Sequence, residues 1–128
     1  MVSNLNKSDR TVMIVDDELV VRQMIRIILE ANGFRVVAEA DDGAEAVSRY
    51  RALRPRITLM DICMPNMNGI EATREIISYD PDARVVLFSG LHRNDLAESA
   101  RKAGARDALA KPVKIRELKE ILHRVMLT

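Results

Sequence analysis

Asp16 and Asp17 close the apolar run Thr11-Val12-Met13-Ile14-Val15, and Asp61 closes Ile57-Thr58-Leu59-Met60. Lys111 follows Asp107-Ala108-Leu109-Ala110 and precedes Pro112. If these runs are parallel strands of one sheet, all four charged side chains meet at its carboxyl edge, where open α/β sheets bind ligands. Three carboxylates facing one lysine hold a fold together poorly. Two like charges about 5 Å apart repel by roughly 3 kcal/mol at an effective dielectric near 20, so the cluster calls for a cation. Mg²⁺ suits it: the ion takes oxygen ligands, keeps several waters and typically uses one or two carboxylates plus a phosphate. With no histidine or cysteine cluster in the chain, zinc is a poor fit.

Each residue also has a plain structural reading. An Asp-Asp pair between strand and helix can be an N-cap favoured by the helix dipole. A strand-end aspartate commonly starts a turn, and a lysine before proline is usually a solvated loop residue. Ser89 ends another apolar run and precedes Gly90, so its hydroxyl could bond a phosphoryl oxygen or simply close a strand. It is the convergence of these positions that favours phosphoryl chemistry.

The elements that must position them recur regularly. Strand-like runs are Thr11–Val15, Arg35–Ala40, Ile57–Met60, Arg84–Phe88 and Asp107–Ala110, mostly without polar alternation, as in strands buried on both faces. Between them lie segments with helical spacing: Leu19–Asn32, with Val21, Met24, Ile25 and Ile28 on one stripe; Gly43–Leu53, with Ala46, Val47 and Tyr50; and Gly69–Tyr79, with Ala72, Ile76 and Ile77. Asp95–Ala103 follows, and Ile115–Met126 turns Ile115, Leu118, Leu122 and Val125 inward. Gly33 and Gly104 are placed to cap helices. Five strands alternating with five helices imply right-handed βαβ crossovers and a parallel sheet covered on both faces.

The chain has 128 residues, 48% of them hydrophobic and 30% charged, which suits one compact domain without repeats or linkers. A net charge of +1 gives no global pull toward nucleic acid or anionic membrane, and neither is expected as a partner. No apolar stretch approaches the roughly 20 residues of a membrane span. The single cysteine, Cys63, excludes an internal disulfide. Residues 1–9 read as a polar tail with no secretory signal, and a cytoplasmic protein is expected. The methionines read as core and loop filling, and His92 and His123 as exposed.

Taken together, Asp16-Asp17, the stretch Asp61-Ile62-Cys63-Met64-Pro65-Asn66-Met67-Asn68-Gly69, Ser89-Gly90 and Lys111-Pro112 resemble the receiver domain of two-component response regulators. The resemblance spans about residues 10 to 127, so residues 10–128 are expected to be the receiver. The flavodoxin-like strand order 2-1-3-4-5 comes with the resemblance, since the chemotaxis receiver is itself a standard example of that order. The resemblance implies that Asp61 takes a phosphoryl group from a phosphohistidine on a sensor histidine kinase or phosphotransfer protein. It implies that Asp16, Asp17, Asp61 and the Cys63 backbone carbonyl hold Mg²⁺. It implies that Lys111 pairs first with Asp61 and then with the phosphoryl group, that Ser89 moves to bond another phosphoryl oxygen, and that the Lys111-Pro112 bond is cis. An unidentified downstream protein would read the switch. The chain would not be a turnover enzyme, only phosphorylating itself and slowly losing the group, with Cys63 and Leu91 flanking the path of the hydrolytic water.

One departure stands out. Receivers usually carry an aromatic residue three positions before the lysine; here it is Ala108, in a chain that is only 3% aromatic. Output must then come from other residues, with the loop Leu91–Asn94 and the helix after it as candidates. Two other readings stay open at this point. A Mg²⁺-dependent phosphotransferase with an aspartyl nucleophile usually has its acids two apart, whereas Asp16 and Asp17 are adjacent. A nucleotide- or flavin-binding module needs a glycine-rich loop after the first strand, where Asp16-Asp17-Glu18 would repel a phosphate.

Overall fold

The computed structural model describes residues 9–90 and 93–128. The expected tail up to residue 8, Leu91 and His92 lie outside the described residues, as do the side chains of Arg93 and Asn94. Strands β1 (Thr11–Val15), β2 (Arg35–Ala40), β3 (Ile57–Asp61), β4 (Val85–Ser89) and β5 (Asp107–Ala110) alternate with helices α1 (Leu19–Ala31), α2 (Gly43–Leu53), α3 (Gly69–Tyr79), α4 (Arg93–Ala103) and α5 (Ile115–Met126). All strand pairs are parallel, in the order β2-β1-β3-β4-β5. The architecture and the strand order are those expected.

Side chains alternate across a strand, so each strand feeds two cores. Met13, Val15, Met60, Val85 and Leu87 point to a cluster closed by α2, α3 and α4 through Ala46, Tyr50, Ala72, Ile76 and Leu96. Val12, Ile14, Ile57, Leu59, Val86 and Phe88 point the other way, to Ile25 and Leu29 of α1 and Leu118, Leu122 and Val125 of α5. The three central strands are buried almost throughout; the edge strands β2 and β5 are only partly so.

Two stripe assignments change. In α1 the buried set is Ile25, Ile28 and Leu29, while Met24 is exposed. The segment LVVRQMIRIILEA is apolar nearly all round, so the spacing alone fits more than one face. In α5, Ile115 is exposed. It is the first helical residue, and Cβ bonds tilt toward the N-terminus, so its side chain projects past the helix end. The termini otherwise agree to within two residues: β3 runs on to Asp61, β4 sits one residue later, α4 starts at Arg93 and α1 stops at Ala31.

Local chemistry explains the helix ends that face the site. Asp42 caps α2 by accepting from the Glu45 N–H at 2.8 Å. Asn68 and Glu71 form a capping box at the start of α3. At the opposite edge of the sheet, Gly33 and Gly104 adopt φ of +82° and +93° after α1 and α4, the left-handed conformation that ends helices there.

Candidate functional site

Parallel register brings the strand ends level. Val15 pairs with Met60, Asp61 with Phe88, and Ser89 with Ala110. The residues that follow Val15 and Ala110 therefore emerge beside Asp61. Asp16 is fully buried, Asp61 is 3% exposed and Ser89 1% exposed. The Lys111 Nζ bridges the two carboxylates, 3.1 Å from Asp16 Oδ2 and 3.4 Å from Asp61 Oδ2. It also lies 5.3 Å from the centre of the Phe88 ring.

Asp16 is held on every side. Its Oδ1 accepts from the Glu18 N–H at 2.7 Å, its backbone carbonyl accepts from Arg22 Nη1 at 2.6 Å, and its own N–H donates to the Ala40 carbonyl at 3.1 Å. Neither aspartate caps α1: the N-cap is Glu18, which makes no side-chain cap bond. The structural reading of the Asp-Asp pair as a helix cap therefore fails.

Burial pushes the Asp61 carboxyl up to about 6, and the Asp16 charge adds to it; Lys111 and the Cys63 backbone N–H pull the other way. For Lys111, burial works to lower the pKa, but the hydrogen bond to Asp16 and the charges of Asp61 and Asp16 outweigh it, leaving a net rise. The amine thus stays cationic. Replacing it in Lys111→Met should raise the Asp61 pKa further above 6, as followed by the carboxyl carbon shift in a pH titration by NMR. An unchanged or lowered value would show that the bridge does not set the electrostatics of Asp61.

A third acid joins the aspartate pair at the end of β1. The carboxylate oxygens of Asp16, Asp17 and Glu18 lie within 4.8 Å of one another, Asp17 and Glu18 being exposed. Asp61 stands next to Asp16 through the shared lysine. Glu18 is the acid that strand-end reasoning passed over, although the run Asp16-Asp17-Glu18 announces it. Cys63 is exposed, two residues beyond Asp61. Ser89 receives the Lys111 backbone N–H on its carbonyl at 2.8 Å, so the serine and lysine strands remain tied to the end of the sheet.

The loop from Asp61 to Gly69 is shaped by close backbone approaches. Gly69 donates its N–H to the Ile62 carbonyl at 2.9 Å, and a Cβ at position 69 would run into the Asp61 carbonyl and the Ile62 Cα. Gly43 donates to the Met67 carbonyl at 2.9 Å, and a Cβ there would strike that same carbonyl. Asn66 takes φ of +66°, a conformation asparagine tolerates, and its Nδ2 donates to Asp42 Oδ2 at 2.9 Å. Met64 and Met67 pack on the α2–α3–α4 core. A Cβ at Gly90, by contrast, would meet nothing within 4 Å among the described residues. On the far side, the Lys111-Pro112 bond is cis, as the resemblance implied.

A family model for the response regulator receiver domain matches residues 12–123. The chain belongs to the response regulator receiver family. The chemotaxis protein CheY of Thermotoga maritima is 40% identical over 116 residues, covering 91% of this chain and 97% of that protein. CheY of Bacillus subtilis is 40% identical over 115 residues, or 90% and 96% of the two chains. Among solved structures, a chain of the CheX–CheY–BeF3–Mg complex from Borrelia burgdorferi superposes with a TM-score of 0.88 at 30% identity, covering 92% of this chain and 90% of that one. The response regulator domain of Thermotoga maritima CheB gives a TM-score of 0.86 at 33% identity, with 92% and 96% covered.

The receiver family is normally not a class of turnover enzyme, and membership of it argues against both the phosphotransferase and the flavodoxin readings. Within this receiver, Ala108 sits half-buried on β5, paired with Leu87, and lines a shallow groove with Leu96, Ile121 and Arg124. A small residue thus stands where the family usually carries a ring. Helix α4, one of the two output candidates, flanks that groove; the loop beginning at Leu91 falls partly outside the described residues. No helix among the described residues is long and apolar enough to cross a membrane.

Proposed function

We propose that this receiver is phosphorylated on Asp61 by a sensor histidine kinase or phosphotransfer protein, and that the change controls a partner protein. The observation that carries the reading is one lysine amine within 3.4 Å of two buried aspartates at the carboxyl edge of a parallel sheet. An Asp61 oxygen attacks the phosphorus of a phosphohistidine; the new P–O bond forms as the P–N bond breaks, and the electron pair leaves with the imidazole. Without metal the Asp61 carboxyl is held at about 6, ionised above neutral pH and protonated below about 5. Phosphoryl transfer then needs chiefly alignment and neutralised charge. Lys111 passes from the carboxylate to a phosphoryl oxygen, and Ser89, buried at the neighbouring strand end, bonds another.

Asp16, Asp17, Asp61 and the Cys63 backbone carbonyl would hold Mg²⁺, with Glu18 beside them. The oxygen-only donor set and the packed carboxylates fit that ion. Mg²⁺ bound there offsets the carboxylate charge and the charge of the phosphoryl oxygens. The Borrelia relative, solved with BeF3 and Mg, supports the assignment by similarity. Residues 10–128 form the receiver and 1–9 a tail, working in the cytoplasm; α4 is the candidate for relaying the change. The label leaves by slow hydrolysis.

The test is incubation with a small acyl phosphate and Mg²⁺ followed by intact mass. One phosphoryl group per chain is expected, and omission of Mg²⁺ should abolish it. An unlabelled protein under conditions that label another receiver would overturn the reading. Mg²⁺ should also raise the melting temperature by mass action, by about 2.7 kcal/mol of stability at a hundredfold excess over Kd. A melting temperature indifferent to millimolar Mg²⁺ would remove the metal from the scheme.

A further inference from the structure

The opposite edge of the sheet carries a pocket that the phosphoryl chemistry does not use. Arg10, just before β1, Phe34, just before β2, and the second half of α5 enclose a cavity of about 210 Å³. Its floor is apolar: Leu122 and Met126 are buried, and Phe34 is half-buried. Its rim is basic. Lys119 and His123 are exposed one helical turn apart on α5, and the Arg10 guanidinium lies 5.7 Å from the centre of the Phe34 ring. Among the described residues no carboxylate lines the cavity, and neither Arg10 nor Lys119 nor His123 has an ion-pair partner there.

We propose that this pocket binds a small amphipathic anion, an aromatic or compact aliphatic group carrying a carboxylate or a phosphate. Size sets the first limit. An engineered cavity of about 150 Å³ holds one benzene, so this one takes a single ring plus an anionic head. Charge sets the second: a neutral ligand would leave the basic rim unanswered, whereas an anion accepts charge-assisted hydrogen bonds from it. The aromatic floor sets the third, since Phe34 already receives a guanidinium on its face and can stack a ring or pack an alkyl group. The chain's own first eight residues, MVSNLNKS, contain no acid and do not match the rim. The inference does not depend on the phosphorylation of Asp61.

The test is an NMR titration of the isotope-labelled full chain with benzoate, phenyl phosphate and neutral benzyl alcohol. Both anions should shift the amides of Phe34, Leu122 and Met126 with Kd of about 1 mM, the scale for so few non-hydrogen atoms. The tighter of the two identifies the preferred head group. Benzyl alcohol should bind at least about tenfold more weakly, and Lys119→Glu and Arg10→Gln should each weaken the anion about tenfold. Both replaced side chains lie at the rim, and unchanged amide dispersion elsewhere confirms the fold. Absence of shifts at these three amides with either anion, equal binding of the alcohol, or full affinity in both variants would overturn the proposal. Nuclear Overhauser contacts from residues 1–8 to Phe34 or Met126 in the free protein would also overturn it, assigning the pocket to the chain itself.

Discussion

Asp61→Asn should abolish the covalent label while making the metal-free protein more stable. The first effect is absolute, because the amide cannot act as the nucleophile. The second follows from the raised pKa. A carboxyl lifted in the fold from 3.8 to about 6 contributes stability that is complete below the unfolded pKa and is lost as pH rises through the folded one. Asparagine resembles the protonated acid and has nothing to lose. The gap between variant and wild type should therefore be near zero at about pH 3, open between about pH 4 and 7, and reach about 3 kcal/mol above that, at roughly 1.4 kcal/mol per pKa unit. Urea melts in chelator across that range measure it. A flat gap, or a less stable variant at pH 7.5, would mean that burial and Asp16 do not strain Asp61.

Gly69→Ala should be the most damaging conservative change on the site side of the sheet. Alanine ordinarily favours a first helical turn over glycine, but here its Cβ would run into the Asp61 carbonyl and the Ile62 Cα, neither of which can rotate aside. Relief requires β3 or α3 to shift, at about 3 kcal/mol, the upper end for overpacking. Because the obstructed carbonyl belongs to the phospho-acceptor itself, labelling should slow as well. Gly90→Ala is the matched control: among the described residues its Cβ meets nothing within 4 Å, and its stability should stay within about 0.5 kcal/mol of wild type. Equal tolerance of both alanines would show that the close approach at Gly69 is unimportant.

The fold was legible because the apolar runs are short, continuous and regularly spaced, and because Gly33 and Gly104 punctuate them. What failed was the rotation of α1, where apolar residues on nearly every side hide the buried stripe, and the inward assignment of Ile115 at a helix start. Of the site, Asp16, Asp61, Ser89 and Lys111 could be read from their places at strand ends, since parallel register alone brings strand ends together. The pairing of Lys111 with Asp61 came with the resemblance, but the sharing of that lysine with Asp16 and the place of Glu18 beside the aspartates could not be read, because they depend on side-chain rotamers and on the turn between β1 and α1. The glycines and asparagine of the Asp61–Gly69 stretch entered the reading only as a pattern. Their reasons are backbone distances: Gly69 against Asp61, Gly43 against Met67, and Asn66 at positive φ.

Those same contacts divide the surroundings of Asp61 mechanically. The loop on the α2–α3 side is bolted down at three points, by Gly69 to Ile62, by Gly43 to Met67 and by Asn66 to Asp42. On the proposed function, a phosphoryl group on Asp61 would therefore press against a firmly anchored jaw. Displacement would then be directed toward Ser89, Lys111 and α4, where the Lys111 N–H on the Ser89 carbonyl is the corresponding tie. With Ala108 in place of a bulky ring, that side would have slack to take up before it pushed on anything. On this reading the receiver would work as a one-sided lever, and the length of its stroke, rather than the turning of a single side chain, would be the quantity a partner reads.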